Sequence, residues 1–450
     1  MVVAGSRRSR FVPWLAAAAA LLAMAALVVV GEEPPERGTA RDGWRLAGLW
    51  GGAIVFSLAF AAAVGGGRRR VVGRAGAMLA PVGVTLLLLE LPVLFAGHDW
   101  RRVLPPAGDD VFVRLRRAAD LTRDGDPVLL HTRPPSGRVT GTTFGDCVSW
   151  LGAPPGEAYP YDVRYDTRGY RNARELAKAD IVVIGDSFIE AALVATDDLL
   201  TERMGRSLGR DVANLGVGGY GPQQELEVLR RHGLPLAPRL VYWCLFEGND
   251  LLDAARYEER RAQLAQSHAK QSGFLIRSFG ANALAALRGA LRPRPAGDAR
   301  RALDHSGVVA SGPAAGTRLY FPYPAGPLGE TARAGLERIE ETLAAAREQC
   351  RAAGAELVAV FIPEKFRVYR DLCRFDAGSA AASWTLSDLP ERWGALLGRL
   401  GVPGIDLTEP LRRSAASGPL LHFADDGHWN AAAHAQVAAR LGADAAARLR

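Results

Sequence analysis

The sequence is poor in lysine and in paired cysteine. Of its 55 basic residues only Lys178, Lys270 and Lys365 are lysine, and the arginines are spread along the chain rather than gathered in a run. A nucleic-acid-binding protein collects its positive charge on one helix or face, so the sequence predicts no nucleic-acid partner. None of the four cysteines forms a Cys-x-x-Cys pair, which excludes a zinc ribbon and a thioredoxin-type motif.

Charge is also missing from three stretches near the N-terminus. Residues 11–30 and 46–67 carry no charged side chain, and residues 75–97 carry only Glu90. Each stretch is long enough to cross about 30 Å of hydrocarbon, so the sequence predicts an anchor of three transmembrane helices in the lipid bilayer, within residues 1–100. If all three stretches cross the membrane, seven flanking arginines lie on the side that holds the N-terminus and five lie on the opposite side. This bias predicts a multi-pass protein of the cell membrane whose remaining chain is extracytoplasmic.

Regular patterns are missing from residues 101–175, which predicts an irregular juxtamembrane lead-in. From residue 176 to residue 450, apolar runs alternate with amphipathic stretches. The predicted strands cover 181–184, 212–215, 240–246, 356–362 and 404–407. The predicted helices cover 196–208, 222–232, 329–353, 387–400 and 430–449. This alternation predicts an α/β domain with a parallel sheet that helices cover on both faces. Residues 252–327 interrupt it as an insertion without a clear strand.

Three of the predicted strands end in residues that suit acyl-transfer chemistry. The first runs into Gly185-Asp186-Ser187, where a serine before a helix is well placed as a nucleophile. A glycine-rich loop at 216–221 follows the second, and glycine lets a backbone N–H approach a ligand closely. Asn249 and Asp250 follow the third, and the Asn249 amide can donate to the same oxyanion. Taken singly, each element is equally well explained as an ordinary turn or helix cap.

A histidine near the C-terminus supplies the base that a serine nucleophile needs. His428 follows Asp425 and Asp426, and a carboxylate two or three residues earlier can fix the imidazole tautomer. The same acids, with His428 and either His422 or His434, are also candidate metal ligands. The gaps between these histidines do not match a helical ligand spacing, so the sequence predicts a base here and no metal site.

Together, and in this order, these elements resemble the SGNH, or GDSL-type, hydrolase family over residues 175–445. The resemblance implies a three-layer α/β/α, flavodoxin-like fold and a Ser-His-Asp triad that needs no cofactor. By the family's roles, Ser187 is the nucleophile, His428 the base and Asp425 the acid that orients it. Asp426 is the alternative acid.

The resemblance also implies three donors to the oxyanion. They are the backbone N–H of Ser187, the Asn249 side-chain amide, and the N–H of Gly219, or of Gly216 or Gly218 if the register slips. One departure is visible, because Glu247 stands where the family's third block usually has glycine.

A narrower resemblance rests on Gly169-Tyr170-Arg171-Asn172, on Ile362-Pro363-Glu364-Lys365 with Tyr369, and on the Asp-Gly-His-Trp-Asn segment at 426–430. These look like the SGNH-like domains of alginate-type polysaccharide O-acetylation proteins, which act at the cell envelope. The candidates for contact with the substrate are Asp186, Asp426, Lys365 and Tyr369.

The function implied is that of a membrane-anchored serine esterase acting on O-acyl, chiefly O-acetyl, esters of carbohydrate through an acyl-enzyme. The alternative is a polysaccharide O-acetyltransferase, which needs a membrane protein as acyl donor. A non-catalytic polysaccharide-binding or assembly protein on the same scaffold is the third reading. The intact Ser187, Asn249 and His428 argue against it.

Overall fold

The structure is a computed structural model that describes residues 85, 88–93, 95, 100, 126–271, 278–291 and 299–450. The chain divides into two compact units. Among the described residues, the larger unit contains 126–267 and 299–450, and the smaller contains those before 108 and those between 268 and 292. The larger unit contains every residue that the sequence predicts to be catalytic or to contact the substrate.

Strands and helices alternate along the described chain. The strands are β1 (Arg138–Thr143), β2 (Tyr159–Arg164), β3 (Ile181–Ile184), β4 (Val212–Asn214), β5 (Leu240–Phe246), β6 (Ser306–Val309), β7 (Arg318–Tyr320), β8 (Glu356–Ile362), β9 (Cys373–Arg374) and β10 (Gly404–Asp406). The helices are α1 (Asp146–Trp150), α2 (Ser187–Glu190), α3 (Leu200–Leu208), α4 (Pro222–Val228), α5 (Asp250–Gln271), α6 (Phe279–Leu291), α7 (Ala299–Asp304), α8 (Glu330–Ala352), α9 (Lys365–Tyr369), α10 (Ala380–Ser383), α11 (Leu389–Leu400), α12 (Thr408–Ser417) and α13 (Ala431–Arg448).

A five-stranded sheet forms the centre of the larger unit, with the strand order β10-β8-β5-β3-β4. All its neighbouring strands pair in parallel. When these five strands are numbered in chain order, their order in the sheet is that of a flavodoxin-like fold. In such sheets ligands bind at the carboxyl ends of the strands. The predicted α/β architecture with a parallel sheet is confirmed. Three strands have the predicted bounds, and β4 and β10 each end one residue earlier than predicted.

The side chains of β3 alternate between two apolar clusters, one on each face of the sheet. Ile181 and Val183 pack in the cluster that contains side chains of α3 and α13. Val182 and Ile184 pack in the cluster that contains side chains of α4, α8 and α11. Because both faces are covered, all four residues are fully buried. A strand buried on both faces gives a continuous apolar run in the sequence, which is why this one could be predicted.

The predicted fold class is wrong in its three transmembrane helices. Within the part of the chain that the structure describes, no helix combines the length and the apolar character that crossing a membrane requires. The predicted spans at 11–30 and 46–67 lie outside the described residues. Within the third, the carboxylate of Glu90 accepts hydrogen bonds from the N–H groups of Phe279 and Gly280, at 2.9 and 2.8 Å, where α6 begins. The predicted extracytoplasmic location rested on those spans and stays a prediction.

The predicted irregular lead-in is also corrected by the structure. Residues 126–175, called the strap below, contain the antiparallel pair of β1 and β2 as well as α1, and they belong to the larger unit. The insertion at 252–327 contains β6 and β7, which join β9 in a small antiparallel sheet. These strands are three or four residues long, too short to give an alternating pattern.

A buried ion pair explains the glutamate that replaces the family's usual glycine. Glu247 directly follows β5, and its carboxylate faces the Arg367 guanidinium of α9 at 2.5 Å. It also accepts the N–H of Glu364 at 3.0 Å. Arg367 donates in addition to the Ser387 carbonyl at 3.0 Å. The glutamate therefore ties the end of β5 to the segment that follows β8, at the carboxyl edge of the sheet.

We expect Arg367→Ala to lower the free energy of unfolding by about 3–5 kcal/mol, because Glu247 would be left charged and unpaired in the interior. The control is Arg338→Ala, which removes an exposed partner of Glu341 at 3.0 Å and should change stability by less than about 1 kcal/mol. Denaturant unfolding of the two variants measures both values. Equal losses in the two variants would contradict a structural role for the buried pair.

Candidate active site

Ser187 lies where β3 turns into α2, at the carboxyl edge of the sheet. Asp186 begins the helix, because its Oδ1 accepts the N–H of Phe188 at 2.9 Å. A Cβ at Gly185 would lie 2.6 Å from Ile189 Cγ1, so this turn requires glycine. The sharp turn leaves Ser187 partly exposed while its neighbours are buried.

Ser187, His428 and Asp426 form a continuous chain of hydrogen bonds. Ser187 Oγ lies 2.8 Å from His428 Nε2, and His428 Nδ1 lies 2.6 Å from Asp426 Oδ1. A carboxylate only accepts hydrogen bonds, so Nδ1 is the protonated nitrogen of the neutral ring. Nε2 is then free to accept the proton of Ser187, which is the geometry of a nucleophile and its general base.

The acid that contacts His428 is Asp426, not the predicted Asp425. Asp426 Oδ1 also accepts the backbone N–H of His428 at 2.8 Å. This is an Asx turn, in which an aspartate side chain binds the backbone N–H two residues later. Asp425 faces the strap, where its Oδ1 accepts the Tyr159 hydroxyl at 2.5 Å and its carbonyl accepts the N–H of Cys147 at 3.1 Å. The alternative acid of the sequence analysis therefore holds the position beside the imidazole.

A second carboxylate, Asp146 in α1 of the strap, also faces His428. Its Oδ2 lies 3.8 Å from His428 Nδ1, its Oδ1 accepts the N–H of Gly427 at 3.0 Å, and its own N–H donates to Asp426 Oδ2 at 2.9 Å. Asp146 and Asp426 are 280 residues apart in sequence, and no sequence pattern marked Asp146. Ligand atoms of Asp146, Asp426 and His428 lie within 4.8 Å of one another, so the three could hold a metal ion. In this structure Asp426 and His428 instead contact each other directly, through Oδ1 and Nδ1 at 2.6 Å.

The two carboxylates shift the titration of the base. Burial lowers the pKa of His428, but the charge and hydrogen bond of Asp426, together with the charges of Asp146 and Asp186, outweigh burial and raise this pKa to about 9. Burial, reinforced by repulsion from Asp426, raises the pKa of Asp146 to about 7. Burial would also raise the pKa of Asp426, but the His428 charge holds this pKa below its usual value. The imidazole is therefore a stronger base than an ordinary histidine.

The glycine-rich loop after β4 offers one backbone donor that is not already engaged. Gly216 N–H donates to Asn214 Oδ1 at 2.9 Å, and Gly218 N–H donates to Glu190 Oε2 at 2.6 Å. Among the described residues, Gly219 N–H has no hydrogen-bond partner, and its φ of 83° favours glycine. This geometry selects Gly219 from the three candidates of the sequence analysis.

The side chain of Asn249 is held in place by α5. Its Nδ2 donates to Asp253 Oδ2 at 2.6 Å, one helical turn along the chain. The amide has a second N–H, and Asn249 is only half-buried, so a donor remains for a ligand. A Cβ at Gly218 would lie 3.3 Å from Ser187 Cβ, which places the glycine loop against the nucleophile. The donors predicted for an oxyanion thus come from elements that meet at one edge of the sheet.

Glu190, the last residue of α2, fixes the glycine loop to the nucleophile helix. Its buried carboxylate accepts from Arg133 Nε at 2.6 Å, from the Tyr165 hydroxyl at 2.6 Å and from Gly218 N–H at 2.6 Å. Burial alone would raise the pKa of Glu190, but the charge of Arg133 and these hydrogen bonds lower it to about 2. The carboxylate therefore stays ionised.

The Gly-Tyr-Arg-Asn segment also holds the carboxyl end of this helix. Arg171 is buried and donates to the carbonyls of Glu190 and Val194, both at 2.9 Å, and of Ala191. Asn172 Oδ1 accepts the N–H of Asn214 at 2.8 Å. The segment therefore joins the nucleophile helix to β4.

All four predicted substrate contacts are buried residues with structural partners. Lys365 Nζ donates to the carbonyls of Phe423, Ala424 and Asp426, at 2.7, 2.9 and 3.0 Å. The Tyr369 hydroxyl accepts the N–H of Leu421 at 2.7 Å. These two side chains position the loop that carries His428, and the structure corrects the prediction that they line a cleft.

Asp186 and Asp426 do not reach a cleft either. Asp186 is 2% exposed and Asp426 is 1% exposed. The first caps α2 and the second orients His428. Both roles use oxygen atoms that a substrate contact would need.

Comparison with known proteins supports the resemblance. The profile of a family described as SGNH hydrolase-like domain, acetyltransferase AlgX, matches residues 325–450, which include His428 and both adjacent acids. A search among curated proteins gives no match. The predicted resemblance is confirmed, and the match indicates an SGNH-type esterase or acetyltransferase.

Solved structures that are similar to this chain include a lipolytic protein, a carbohydrate esterase and TesA. One, assigned to the G-D-S-L family of lipolytic proteins, is from Desulfitobacterium hafniense DCB-2, with 12% identity, 60% of this chain and 98% of that chain covered, and a TM-score of 0.31. A carbohydrate esterase family 2 enzyme with its carbohydrate-binding domain, from Corynascus thermopiles (Myceliophthora fergusii), has 14% identity, coverages of 66% and 72%, and a TM-score of 0.32. TesA has 15% identity, coverages of 60% and 97%, and a TM-score of 0.30.

We expect Asp426→Asn to lower kcat for ester cleavage by about 10³–10⁴-fold, because an amide in this position favours the wrong imidazole tautomer. Asp425→Asn changes the adjacent residue in the same way, but its carboxylate contacts Tyr159 rather than His428, and we expect a far smaller loss. Steady-state kinetics on both variants, with thermal unfolding to confirm folding, makes the comparison. An equal loss in two folded variants would contradict the assignment of Asp426.

We expect kcat/KM to rise with pH to a plateau, with the midpoint of the rise near pH 9. A general base acts only when neutral, so activity is lost as the pH falls below the pKa of His428, which lies near 9. Asp146→Asn removes a negative charge beside Nδ1 and should move the midpoint to lower pH. A midpoint near 6.5, unchanged in Asp146→Asn, would contradict the proposed effect of the two carboxylates.

Proposed function

We propose that this protein is a serine enzyme that cleaves O-acyl esters, chiefly O-acetyl esters of carbohydrate, through an acyl-enzyme on Ser187. The observation that carries the proposal is the hydrogen-bonded chain from Ser187 Oγ through His428 to Asp426, with distances of 2.8 and 2.6 Å. A serine paired with an oriented histidine is the arrangement that activates a hydroxyl as a nucleophile.

The first half of the reaction transfers the acyl group to the enzyme. His428 Nε2 takes the Ser187 proton while Oγ bonds to the ester carbonyl carbon, and the carbonyl oxygen becomes an oxyanion. The oxyanion accepts hydrogen bonds from Ser187 N–H, Gly219 N–H and the Asn249 amide. When the tetrahedral intermediate collapses, the ester C–O bond breaks and the imidazolium returns its proton to the leaving alkoxide.

The second half of the reaction releases the acyl group. His428 takes a proton from water while the water oxygen bonds to the acyl carbonyl carbon. The bond from this carbon to Ser187 Oγ then breaks, and the imidazolium returns the proton to Oγ. A carboxylic acid leaves, which makes the enzyme an esterase. The same donors hold the second oxyanion, and each is worth about 3–4 kcal/mol of transition-state stabilisation in related chemistry. The charge on Asp426 stabilises the imidazolium that forms in both halves.

Transfer to a sugar hydroxyl is the alternative outcome. The match of residues 325–450 to a family described as an acetyltransferase favours it. An acceptor hydroxyl takes the place of water, and His428 removes its proton in the same way. Such a transferase needs an acyl donor, which a membrane protein is expected to supply.

We expect Ser187→Ala to reduce cleavage of ethyl acetate by the full-length protein at least about a thousandfold, since the nucleophile is lost. Ser417→Ala, the same change at an exposed position of α12, is the matched control and should retain wild-type activity. Acetate release at fixed pH measures both. Cleavage by Ser187→Ala at the wild-type rate contradicts the proposal.

Adding an oligosaccharide to the same assay separates the two outcomes. An esterase releases acetate whether or not the sugar is present. A transferase forms acetylated oligosaccharide, detected by mass spectrometry, at the expense of free acetate.

A further inference from the structure

Trp150 stands out on the surface of the larger unit. It ends α1, four residues after Asp146, and its side chain is 44% exposed. Two large apolar side chains are exposed among the described residues of this unit, and they are Trp150 and Leu303. Trp150 is the aromatic one.

A continuous series of ring contacts leads from Trp150 to the base. The rings of Trp150 and Tyr323 meet edge to face with centroids 6.1 Å apart, and Tyr323 meets Phe246 at 5.9 Å. Phe246 then packs on Phe188 at 4.2 Å, and Phe188 packs on His428 at 5.1 Å. Exposed Trp150 and the catalytic imidazole are therefore the two ends of one series of ring contacts, in which Phe246 and Phe188 are buried.

Tyr323 lies between the two loops that carry chemistry. A Cβ at Gly248, next to Asn249, would lie 3.0 Å from Tyr323 Cδ2. A Cβ at Gly427, next to His428, would lie 2.9 Å from Cγ of Pro322, the residue before Tyr323. Tyr323 thus packs against the loop that carries Asn249, and the residue before it packs against the loop that carries His428.

The hydroxyl of Tyr323 is available to a ligand. Burial, with the negative charges of Asp146, Glu364, Asp253 and Asp186, raises the pKa of Tyr323, so the phenol stays protonated. Among the described residues it has no hydrogen-bond partner. Tyr323 is only half-buried, so this hydroxyl can donate a hydrogen bond to a ligand that approaches from solvent.

We propose that Trp150 and Tyr323 form a subsite for a pyranose ring of the saccharide that bears, or receives, the acyl group. A sugar presents an apolar C–H face and an edge of hydroxyl groups. The exposed ring of Trp150 matches the face, and the Tyr323 hydroxyl matches the edge. A subsite for an acyl chain would be enclosed and apolar throughout, whereas this one is open and ends in a phenol.

The proposal rests on the proposed function, and its test compares two esters in the full-length protein. One is ethyl acetate, which carries no sugar ring, and the other is an acetylated xylo-oligosaccharide. We expect wild type to prefer the saccharide ester in kcat/KM. Trp150→Ala should lower that preference about tenfold, the scale of one aromatic contact, and Trp150→Tyr should restore most of it. Tyr323→Phe should also lower it.

The matched control is Leu303→Ala, which removes an equally exposed apolar side chain, 45% against 44%, that cannot stack on a sugar. The preference should stay at the wild-type value in this variant. No preference in wild type, or a preference that survives Trp150→Ala, overturns the subsite.

Calorimetry keeps this test separate from the proposed function. The Ser187→Ala protein should bind the acetylated xylo-oligosaccharide, and Ser187→Ala/Trp150→Ala should bind it about tenfold more weakly. Binding that depends on Trp150, without turnover by wild type, supports the subsite and contradicts the proposed function. Turnover of ethyl acetate with binding that does not depend on Trp150 supports the function and contradicts the subsite.

Discussion

The site depends on one buried carboxylate, that of Glu190. It lies at the end of the short nucleophile helix and accepts hydrogen bonds from Arg133, Tyr165 and Gly218, at 2.6 Å each from Arg133 Nε, the Tyr165 hydroxyl and the Gly218 N–H. These partners come from the strap and from the glycine loop, so a single charge fixes three separate parts of the chain around Ser187. An ionised carboxylate in the interior is stable only when paired and hydrogen-bonded, and Glu190 meets both conditions through these partners.

The strap completes the acid and base as well. Asp146 reaches Asp426 and faces His428, and Tyr159 holds Asp425 away from the imidazole. Together with Arg133 on the nucleophile side, these contacts mean that residues before the predicted domain boundary build both halves of the site. The pKa of His428, raised to about 9, follows from placing two carboxylates at one imidazole. A domain cut at residue 176 would lack these groups.

The sequence was informative where a local pattern has one structural solution. Apolar β-branched runs such as 181–184 predicted strands, and the family resemblance predicted that Ser187 and His428 meet. Asp425 and Asp426 both precede His428 at a spacing that suits the orienting acid. Only the turn before His428 in the structure shows that Asp426 faces the imidazole. A lysine is expected at a surface, so the burial of Lys365 among carbonyls could not be foreseen. Asp146 contacts Asp426, which is 280 residues away in the sequence, and local sequence patterns do not predict contacts at that separation. Apolar composition alone also misled, as the predicted membrane helices show.

The most direct test of the central claim is covalent labelling of the full-length protein with a fluorophosphonate, in which a serine oxygen displaces fluoride and becomes phosphonylated. Activated serines react in this way because an adjacent base removes their proton. Intact-mass and peptide mass spectrometry should find one adduct, on Ser187, in wild type. Labelling should be slowed at least about a hundredfold in His428→Gln. An adduct on another residue, or equal labelling rates in the two proteins, would contradict the account.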